Sequence, residues 1–223
     1  MTAALLLLAK RWRSRKSIDY ALRQRNAVMP PLIATLLTER ERVNVLVFGG
    51  GLGTGYMMLI KTMPEAAARI GYTVVDVETI ASAGRAIFSG CSDPSFLDNL
   101  PEGAHFDIVH AANVLQYIED WRGVIARLSG YGARFLSLAD IFVSNFKTYA
   151  STQHYYGSRI PHWFFNAEEF TAGVEQAGYR LALRSECDAK VLGQYGPRPM
   201  NNFPVQLRVA HTSNFLFRRR RIR

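Results

Sequence analysis

Short apolar runs alternate with stretches of helical periodicity along most of the chain. Four runs rich in Val, Ile, Leu and Phe predict buried strands, because each is short and bounded by glycine or polar residues. The stretches between them place apolar residues at helical spacing. This alternation predicts an α/β fold, a Rossmann-like, mainly parallel sheet with helices on both faces. The runs are NVLVF (44–48), YTVVDV (72–77), FDIVHA (106–111) and ARFLSLADIF (133–142).

The pattern changes at both ends of the chain. Towards the carboxyl end, residues 166–178 predict a helix with Asn166 as its N-cap and Gly178 as its stop. Two strand-like runs follow with no helix between them, at 179–186 and 205–219, so we predict an antiparallel edge strand.

The first residues are helical in pattern and contain no strand signal. Residues 3–25 and the segment behind Pro30 and Pro31 each carry an apolar face. We therefore predict a helical N-terminal extension over residues 1–42 and one Rossmann-like domain over 43–223.

Composition restricts the class of protein. The 223 residues are 48% hydrophobic and 20% charged, as in an ordinary globular domain. The chain has only two cysteines, which argues against a disulfide scaffold and favours a reducing, cytoplasmic location. No apolar run reaches the ~20 residues that span a bilayer, and the charges of the first segment follow its apolar run, unlike a secretory signal.

The net charge of +9 is concentrated in residues 10–25 and 217–223, and the region between them is slightly acidic. Basic ends suit peripheral contact with an anionic membrane, or they are solvated termini. A body without excess positive charge argues against a nucleic-acid groove.

Glycines follow the first strand in NVLVFGGGLGTGYMML (44–59). A glycine turn between strand and helix lets backbone amides approach a nucleotide-like ligand closely. The i, i+2, i+5 spacing of dinucleotide oxidoreductases is not met, because Gly49, Gly51 and Gly53 run i, i+2, i+4. Asp76 ends the second strand, where a carboxylate can accept both hydroxyls of a ribose.

These segments resemble the class I S-adenosylmethionine-dependent methyltransferases. VLVFGGGLGTG is similar to the family's glycine motif, VVDVETIASAGRA to its second strand and helix, and FDIVHAANVLQYIEDW to its fourth strand and the helix after it. The resemblance covers roughly residues 43 to 140. A narrower similarity, to bacterial methyltransferases encoded among surface-polysaccharide genes, rests on FGGGLGTGY, VLQYIED, TQHYYGSRIPHWFF and NFLFRR.

The resemblance implies a site for S-adenosylmethionine and its product S-adenosylhomocysteine. The glycine loop would lie beneath the methionine part, Asp76 would bind the ribose, and Ser92 or Asp93 would meet the adenine amine unless SDP is only a turn. The family often has an acid where this chain has Val47, so other groups must recognise the methionine amine. The implied cofactor residues are Gly49, Gly50, Gly51, Gly53, Asp76, Ser92, Asp93, His110 and Asn113.

Two inserts, near 144–165 and 190–204, are the candidates for acceptor binding. The first is dense in aromatic and hydrogen-bonding side chains, which suit a sugar or else form a packed lid. In the second, Arg198 could pair with a phosphate or carboxylate of the acceptor. The predicted acceptor residues are Gln153, Tyr155, Tyr156, Trp163, Arg198 and Asn202.

A hydroxyl acceptor requires a group that takes its proton. The candidates are His154, Asp140 and His110. His154 is the first choice, because it lies in the segment expected to close over the acceptor and a histidine titrates near neutrality. No metal is expected.

The sequence therefore predicts an S-adenosylmethionine-dependent methyltransferase that methylates an oxygen of a sugar or related small metabolite. Two alternatives stay open: a protein that binds the cofactor without catalysis, and an RNA methyltransferase guided by the basic ends. HAANVLQY stands where enzymes that methylate base amines have an Asn-Pro-Pro-Tyr-like run, which disfavours nucleic-acid amines. The sequence leaves the oligomeric state open.

Overall fold

The structure is a computed structural model that describes residues 24–188, 190, 191, 194, 195 and 197–220. The expected helix at 3–25 and most of the basic segment 10–25 lie outside the described residues. The chain divides into two units, Met1–His110 and Ala111–Arg223. Within the described ranges, no helix is both long and apolar enough to cross a membrane.

The first unit builds three parallel strands with connecting helices. Strand β2 pairs in parallel with β1 on one side and with β3 on the other. Most residues of β1 and β2 are buried and apolar, as expected for strands covered on both faces. The elements are α1 (Met29–Leu37), β1 (Val43–Phe48), α2 (Thr54–Thr62), a 3-10 turn (Pro64–Arg69), β2 (Ile70–Val75), α3 (Glu78–Ile87), β3 (Ser95–Leu97) and most of β4 (Ile108–Ala112).

The second unit adds helices, the last strands and a separate small sheet. Its elements are a 3-10 turn (Leu115–Tyr117), α4 (Trp121–Gly130), β5 (Phe135–Ile141), β6 (Val143–Ser144), β7 (Tyr149–Tyr155), β8 (Ser158–Asn166), α5 (Ala167–Gln176), β9 (Tyr179–Cys187), β10 (Lys190–Val191), β11 (Gln194–Tyr195), a second 3-10 turn (Val205–Leu207) and β12 (Thr212–Arg219). Asn166 caps α5 by accepting the amide of Glu169, and Gly178 follows the helix at φ 92°, so both predicted signals are confirmed.

The main sheet has seven strands in the order β3-β2-β1-β4-β5-β12-β9. This is the predicted Rossmann-like, mostly parallel architecture. Strand β12 is antiparallel to both of its neighbours, so the reversed strand lies inside the sheet and β9 forms its edge. The last strand starts at Thr212 rather than at 205, because residues 205–207 form a 3-10 turn behind Pro204.

The predicted first insert is a β-hairpin, which the sequence patterns did not indicate. Strands β7 and β8 pair in an antiparallel ladder, and β8 also pairs in parallel with β6 to give the order β6-β8-β7. One face of the hairpin is aromatic: the Tyr149 ring stacks on Phe164 with centroids 4.8 Å apart, and Phe164 lies 5.5 Å from Phe142. The strands are stabilised by the packing of this aromatic face rather than by a regular apolar pattern in the sequence.

Helix α3 packs against β3 through a glycine. A Cβ built on Gly84 would lie 2.4 Å from two ring carbons of Phe96, which is itself buried beside Phe88. We expect Gly84→Ala to lower the free energy of unfolding by about 1–3 kcal/mol, the usual cost of overpacking a core. Urea denaturation measures the change.

Gly130→Ala is the matched control. Gly130 ends α4, and a Cβ there would meet no atom within 4 Å. We expect no loss of stability and a gain of up to about 1 kcal/mol from the better helix propensity of alanine. Equal losses in the two variants would show that the contact with Phe96 is not the cause.

Candidate functional site

The glycine turn between β1 and α2 is the first candidate site. Gly49, Gly51 and Gly53 have φ values of 69°, 59° and 76°, a left-handed conformation that favours glycine. Helix α2 starts directly after Gly53, which caps it without a side-chain hydrogen bond. The turn therefore presents the amino end of a helix together with bare backbone.

The glycines of this turn serve different purposes. A Cβ on Gly50 would lie 2.9 Å from side-chain carbons of Val47 and Val74, and one on Gly53 would lie 3.0 Å from the Phe96 ring. These two glycines are needed by the packing of the protein itself. Gly51 differs, because a Cβ there would meet nothing within 4 Å. Open space above Gly51 is what a ligand cradle requires.

Asp76 lies beside this turn, as predicted from the sequence. One carboxylate oxygen accepts the amide of Gly51 at 2.8 Å and the other accepts the amide of Val77 at 2.8 Å. A carboxylate oxygen has lone pairs for further bonds, so the group can orient the glycine turn and still accept hydroxyl donors. Val77 and Leu52 next to it are exposed apolar side chains, at 64% and 41%.

Ser92 and Asp93 lie at the opposite edge of the sheet from Asp76. They precede β3, whose residues Ser95 and Leu97 pair with Thr73 and Val75. The Asp93 carboxylate accepts the amide of Tyr72 at 2.9 Å and the guanidinium of Arg42 at 2.8 Å.

The residues that follow β3 are Asp98 and Asn99. Because β2 and β3 are parallel, these exposed residues share the carboxyl edge with Asp76, whose amide donates to the Leu97 carbonyl at 3.1 Å. The sequence could not fix the position of this three-residue strand, and the structure places Ser92 and Asp93 before it rather than after it.

His110 and Asn113 lie on either side of the boundary between the units. His110 is 1% exposed inside β4. Asn113 follows β4 with φ 54°. Its backbone amide donates to the Ala139 carbonyl at 2.9 Å, and its side-chain oxygen accepts a hydrogen bond from Nε2 of the Gln116 side chain. Left-handed non-glycine residues at strand ends are typical of functional sites.

The second candidate site surrounds Asp140 in the second unit. This residue has φ 56° within β5 and is 0% exposed. Its carboxylate accepts a hydrogen bond from Arg198 at 2.7 Å and another from the hydroxyl of Thr212. The guanidinium of Arg198 also lies over the Phe142 ring, 4.5 Å from its centroid. A buried carboxylate of this kind requires such a cation.

His162, on β8, belongs to the same cluster. Its ring meets Phe142 edge-on at 4.5 Å and Tyr117 at 5.5 Å. Burial and, to a smaller extent, the nearby charge of Arg198 lower the pKa of His162 to about 4, against the opposing effects of a backbone hydrogen bond and of the Asp140 carboxylate. The imidazole is therefore neutral at pH 7. The aromatic insert contained this histidine, but only the hairpin register distinguishes it from His154.

His154 lies on the other face of the hairpin. In the ladder, Ser151 is opposite His162 and His154 is opposite Arg159, and side chains alternate between faces along each strand. His154 thus shares its face with Trp163 and is exposed. The hairpin does not bring His154 to Asp140.

The other predicted acceptor residues are dispersed. Gln153 shares the face of His162, because the two are diagonal neighbours in the ladder. Tyr156 forms the hairpin turn and is 93% exposed, and Asn202 lies in an exposed turn. The side chain of Tyr155 lies outside the described part of the chain.

The basic carboxyl end is partly engaged by the fold. Arg218 and Arg219 belong to β12, and Arg219 donates to the Gly132 carbonyl at 2.6 Å. Arg220 lies 3.8 Å from the carboxylate of Glu175. Across the described ranges, no group of three or more His, Cys, Asp and Glu side chains could hold a metal ion.

Comparisons with known proteins connect this fold to one class. No protein-family model matches the sequence, and no curated protein matches it. Among solved structures, the chain is similar to magnesium protoporphyrin IX methyltransferase from Synechocystis PCC 6803 with bound S-adenosylmethionine: 15% identity, TM-score 0.58, covering 92% of this chain and 83% of that one. A methyltransferase from Methanosarcina mazei is 9% identical with a TM-score of 0.56, covering 82% and 96% of the two chains.

A third similar structure is described as a pericyclic reaction enzyme. It is 12% identical with a TM-score of 0.55, and the match covers 85% of this chain and 47% of that one. At these identities the comparisons show the fold, which is that of the class I S-adenosylmethionine-dependent methyltransferases. The pericyclic enzyme illustrates that this fold supports more than one reaction, so activity must be argued from the site.

The neutral, buried His162 makes stability depend on pH. Its pKa is about 4 in the folded chain and about 6.5 when unfolded, so the unfolded state binds more protons between these values. The contribution of the neutral imidazole to the free energy of unfolding is fully present above pH 6.5. As the pH falls towards 4, this free energy decreases by up to about 3 kcal/mol. We expect the free energy of unfolding of His162→Phe, measured by urea denaturation, to lack this decrease between pH 6.5 and 4, which the unchanged protein should show. Identical pH dependences would contradict the burial of a neutral imidazole.

Proposed function

We propose that the protein is an S-adenosylmethionine-dependent methyltransferase that transfers the methyl group to an oxygen of a sugar or related small metabolite. The observation that carries the proposal is the open space above Gly51, beside a strand-end carboxylate at Asp76. This pairing suits a nucleoside ligand, and it occurs in a methyltransferase fold. The acceptor class rests on the hydroxyl-compatible groups of the second unit and on the similarity of the hairpin segment to the polysaccharide-linked group.

The cofactor would bind along the turn and the ends of β2 and β3. Asp76 would accept the two ribose hydroxyls with the lone pairs that its backbone donors leave available. Val77 and Leu52 would cover the faces of the adenine ring, since both are exposed and apolar. Asp98 is in reach of the same edge and is proposed for the adenine amine in place of Ser92 and Asp93.

The residues fit S-adenosylmethionine except at one position. Val47 is 5% exposed and packs under Gly50, so it offers nothing to the methionine amine. When bound, S-adenosylmethionine supplies an already activated methyl group, so the protein's own contribution is alignment and proton removal.

Asp140 is the proposed proton acceptor. It is a buried carboxylate in a strained conformation, and Arg198, Thr212 and His162 surround it. His154 shares neither this environment nor its face of the hairpin. The geometry therefore favours Asp140 over the first choice that the sequence suggested, and His110 is proposed as a packing residue of β4.

Gly51→Ala tests the cofactor site. The alanine meets no protein atom, so its folding cost comes from the left-handed conformation, about 1 kcal/mol. A methyl group in the cradle should still lower the affinity for S-adenosylmethionine at least tenfold in titration calorimetry. The matched control is Gly90→Ala, with φ 81° and equally open space, which should cost similar stability but leave the affinity unchanged. If both variants have the same affinity for S-adenosylmethionine, the glycine turn does not contact the cofactor.

Asp140→Asn and His154→Ala test the base. We expect Asp140→Asn to slow single-turnover methyl transfer by ~100-fold or more, the scale of general-base loss, while His154→Ala keeps the rate. Circular dichroism and cofactor titration must show that Asp140→Asn is folded, because the change leaves Arg198 without its carboxylate. The reverse result, slow transfer in His154→Ala and a normal rate in Asp140→Asn, would show that His154 rather than Asp140 is the base.

A further inference from the structure

Four residues in the neighbourhood of the Asp140 cluster each have a buried polar atom without a hydrogen-bond partner among the described residues. The atoms are Oε1 of Gln116, Oε1 of Gln153, Nδ1 of His162 and Nε of Arg198. Buried polar atoms in native proteins are nearly always satisfied, so several orphans in one place require an explanation. A bound ligand would provide one.

The contacts of the four residues bring them to one locality. Gln116 belongs to the same 3-10 turn as Tyr117, whose ring meets His162. The rings of Phe142 and His162 are in contact, and Arg198 lies over Phe142. Gln153 is the diagonal neighbour of His162 on the same face of the hairpin. The amide nitrogen of Gln116 already donates to Asn113, which leaves its oxygen for another partner.

The chemistry of these atoms describes the ligand. The two glutamine oxygens accept hydrogen bonds, the Nε–H of Arg198 donates one, and the neutral imidazole of His162 can do either. Hydroxyl groups both donate and accept, so neighbouring hydroxyls on one molecule would satisfy the whole set. Neither a carboxylate nor a phosphate can donate to the two glutamine oxygens.

The charge of the cluster agrees with a neutral ligand. Arg198 is already compensated by the carboxylate of Asp140 at 2.7 Å, and the imidazole carries no charge at pH 7. An anion would lose its hydration here without gaining an unpaired cation. The pairing of Arg198 with a phosphate or carboxylate that its sequence position suggested is therefore disfavoured.

We propose that Gln116, Gln153, His162 and Arg198 form the binding subsite for a neutral methyl acceptor that presents neighbouring hydroxyl groups. Arg198 keeps 16% of its side chain exposed, so the cluster is not sealed from solvent. The proposal rests on the proposed function, in which the same cluster holds the acceptor next to Asp140.

Binding can be measured without turnover. The full chain with saturating S-adenosylhomocysteine is titrated by saturation-transfer NMR with neutral methyl α-mannopyranoside and methyl α-glucopyranoside, and with anionic glucuronate and glucose 1-phosphate. We expect the neutral glycosides to bind at least tenfold more tightly than the anions. His162→Phe and Gln116→Leu should lower that affinity tenfold or more, and His162→Asn, which keeps a polar atom near Nδ1, should stay within threefold.

Thr152→Ala is the control, because Thr152 is exposed on the opposite face of the hairpin. Three results would overturn the proposal: tighter binding of the anions, equal affinities in all variants, or no saturable binding of either glycoside. In the third case, ordered water rather than a ligand would satisfy the four atoms. Calorimetry with S-adenosylmethionine on the same samples separates the two proposals. Glycoside binding without cofactor binding would refute the methyltransferase function, and cofactor binding without glycoside binding would refute the subsite alone.

Discussion

A carboxylate buried at the end of a strand must be satisfied, and in the second unit this requirement at Asp140 organises the surrounding chain. Arg198 comes from the loop before β12, and Thr212 begins β12 itself. The amide of Asp140 donates to the side-chain oxygen of Asn214 at 2.9 Å. Loop and strand are thus fixed to β5 by polar groups, and loss of the carboxylate would leave a largely buried guanidinium unpaired.

Asp76 has a comparable role in the first unit, with a different outcome. Its partners are backbone amides of Gly51 and Val77, so the acid orients the turn rather than compensating a cation. The division of roles among the glycines follows from packing: Val47 and Phe96 exclude side chains at Gly50 and Gly53, whereas at Gly51 no neighbour excludes a side chain and the left-handed backbone conformation alone favours glycine. The glycines of one motif therefore meet different structural requirements that look identical in sequence.

The hairpin shows how aromatic packing sets the environment of a single histidine. Phe164 and Tyr149 lie on one face of the hairpin and pack towards Phe142, and the rings of Phe142 and Phe164 contact His162. This burial lowers the pKa of the imidazole, which is therefore neutral at pH 7. Alternation along β8 then places Trp163 and His162 on opposite faces. Two adjacent residues of one aromatic run consequently have unrelated environments.

The sequence by itself determined the alternation of strands and helices, the glycine turn, Asp76 at the end of β2 and the caps of α5, because these depend on local spacing and on residues with special backbone or capping properties. Tertiary structure decided the rest. The register of the short strand β3 places Asp93 beside the start of β2 rather than beside Asp76, and the hairpin register places His162, not His154, on the face that packs against Phe142. The partnership of Asp140 with Arg198 joins residues 58 positions apart. Such pairings arise from strand register and from the need to satisfy buried charge, and neither leaves a periodic signal in the chain.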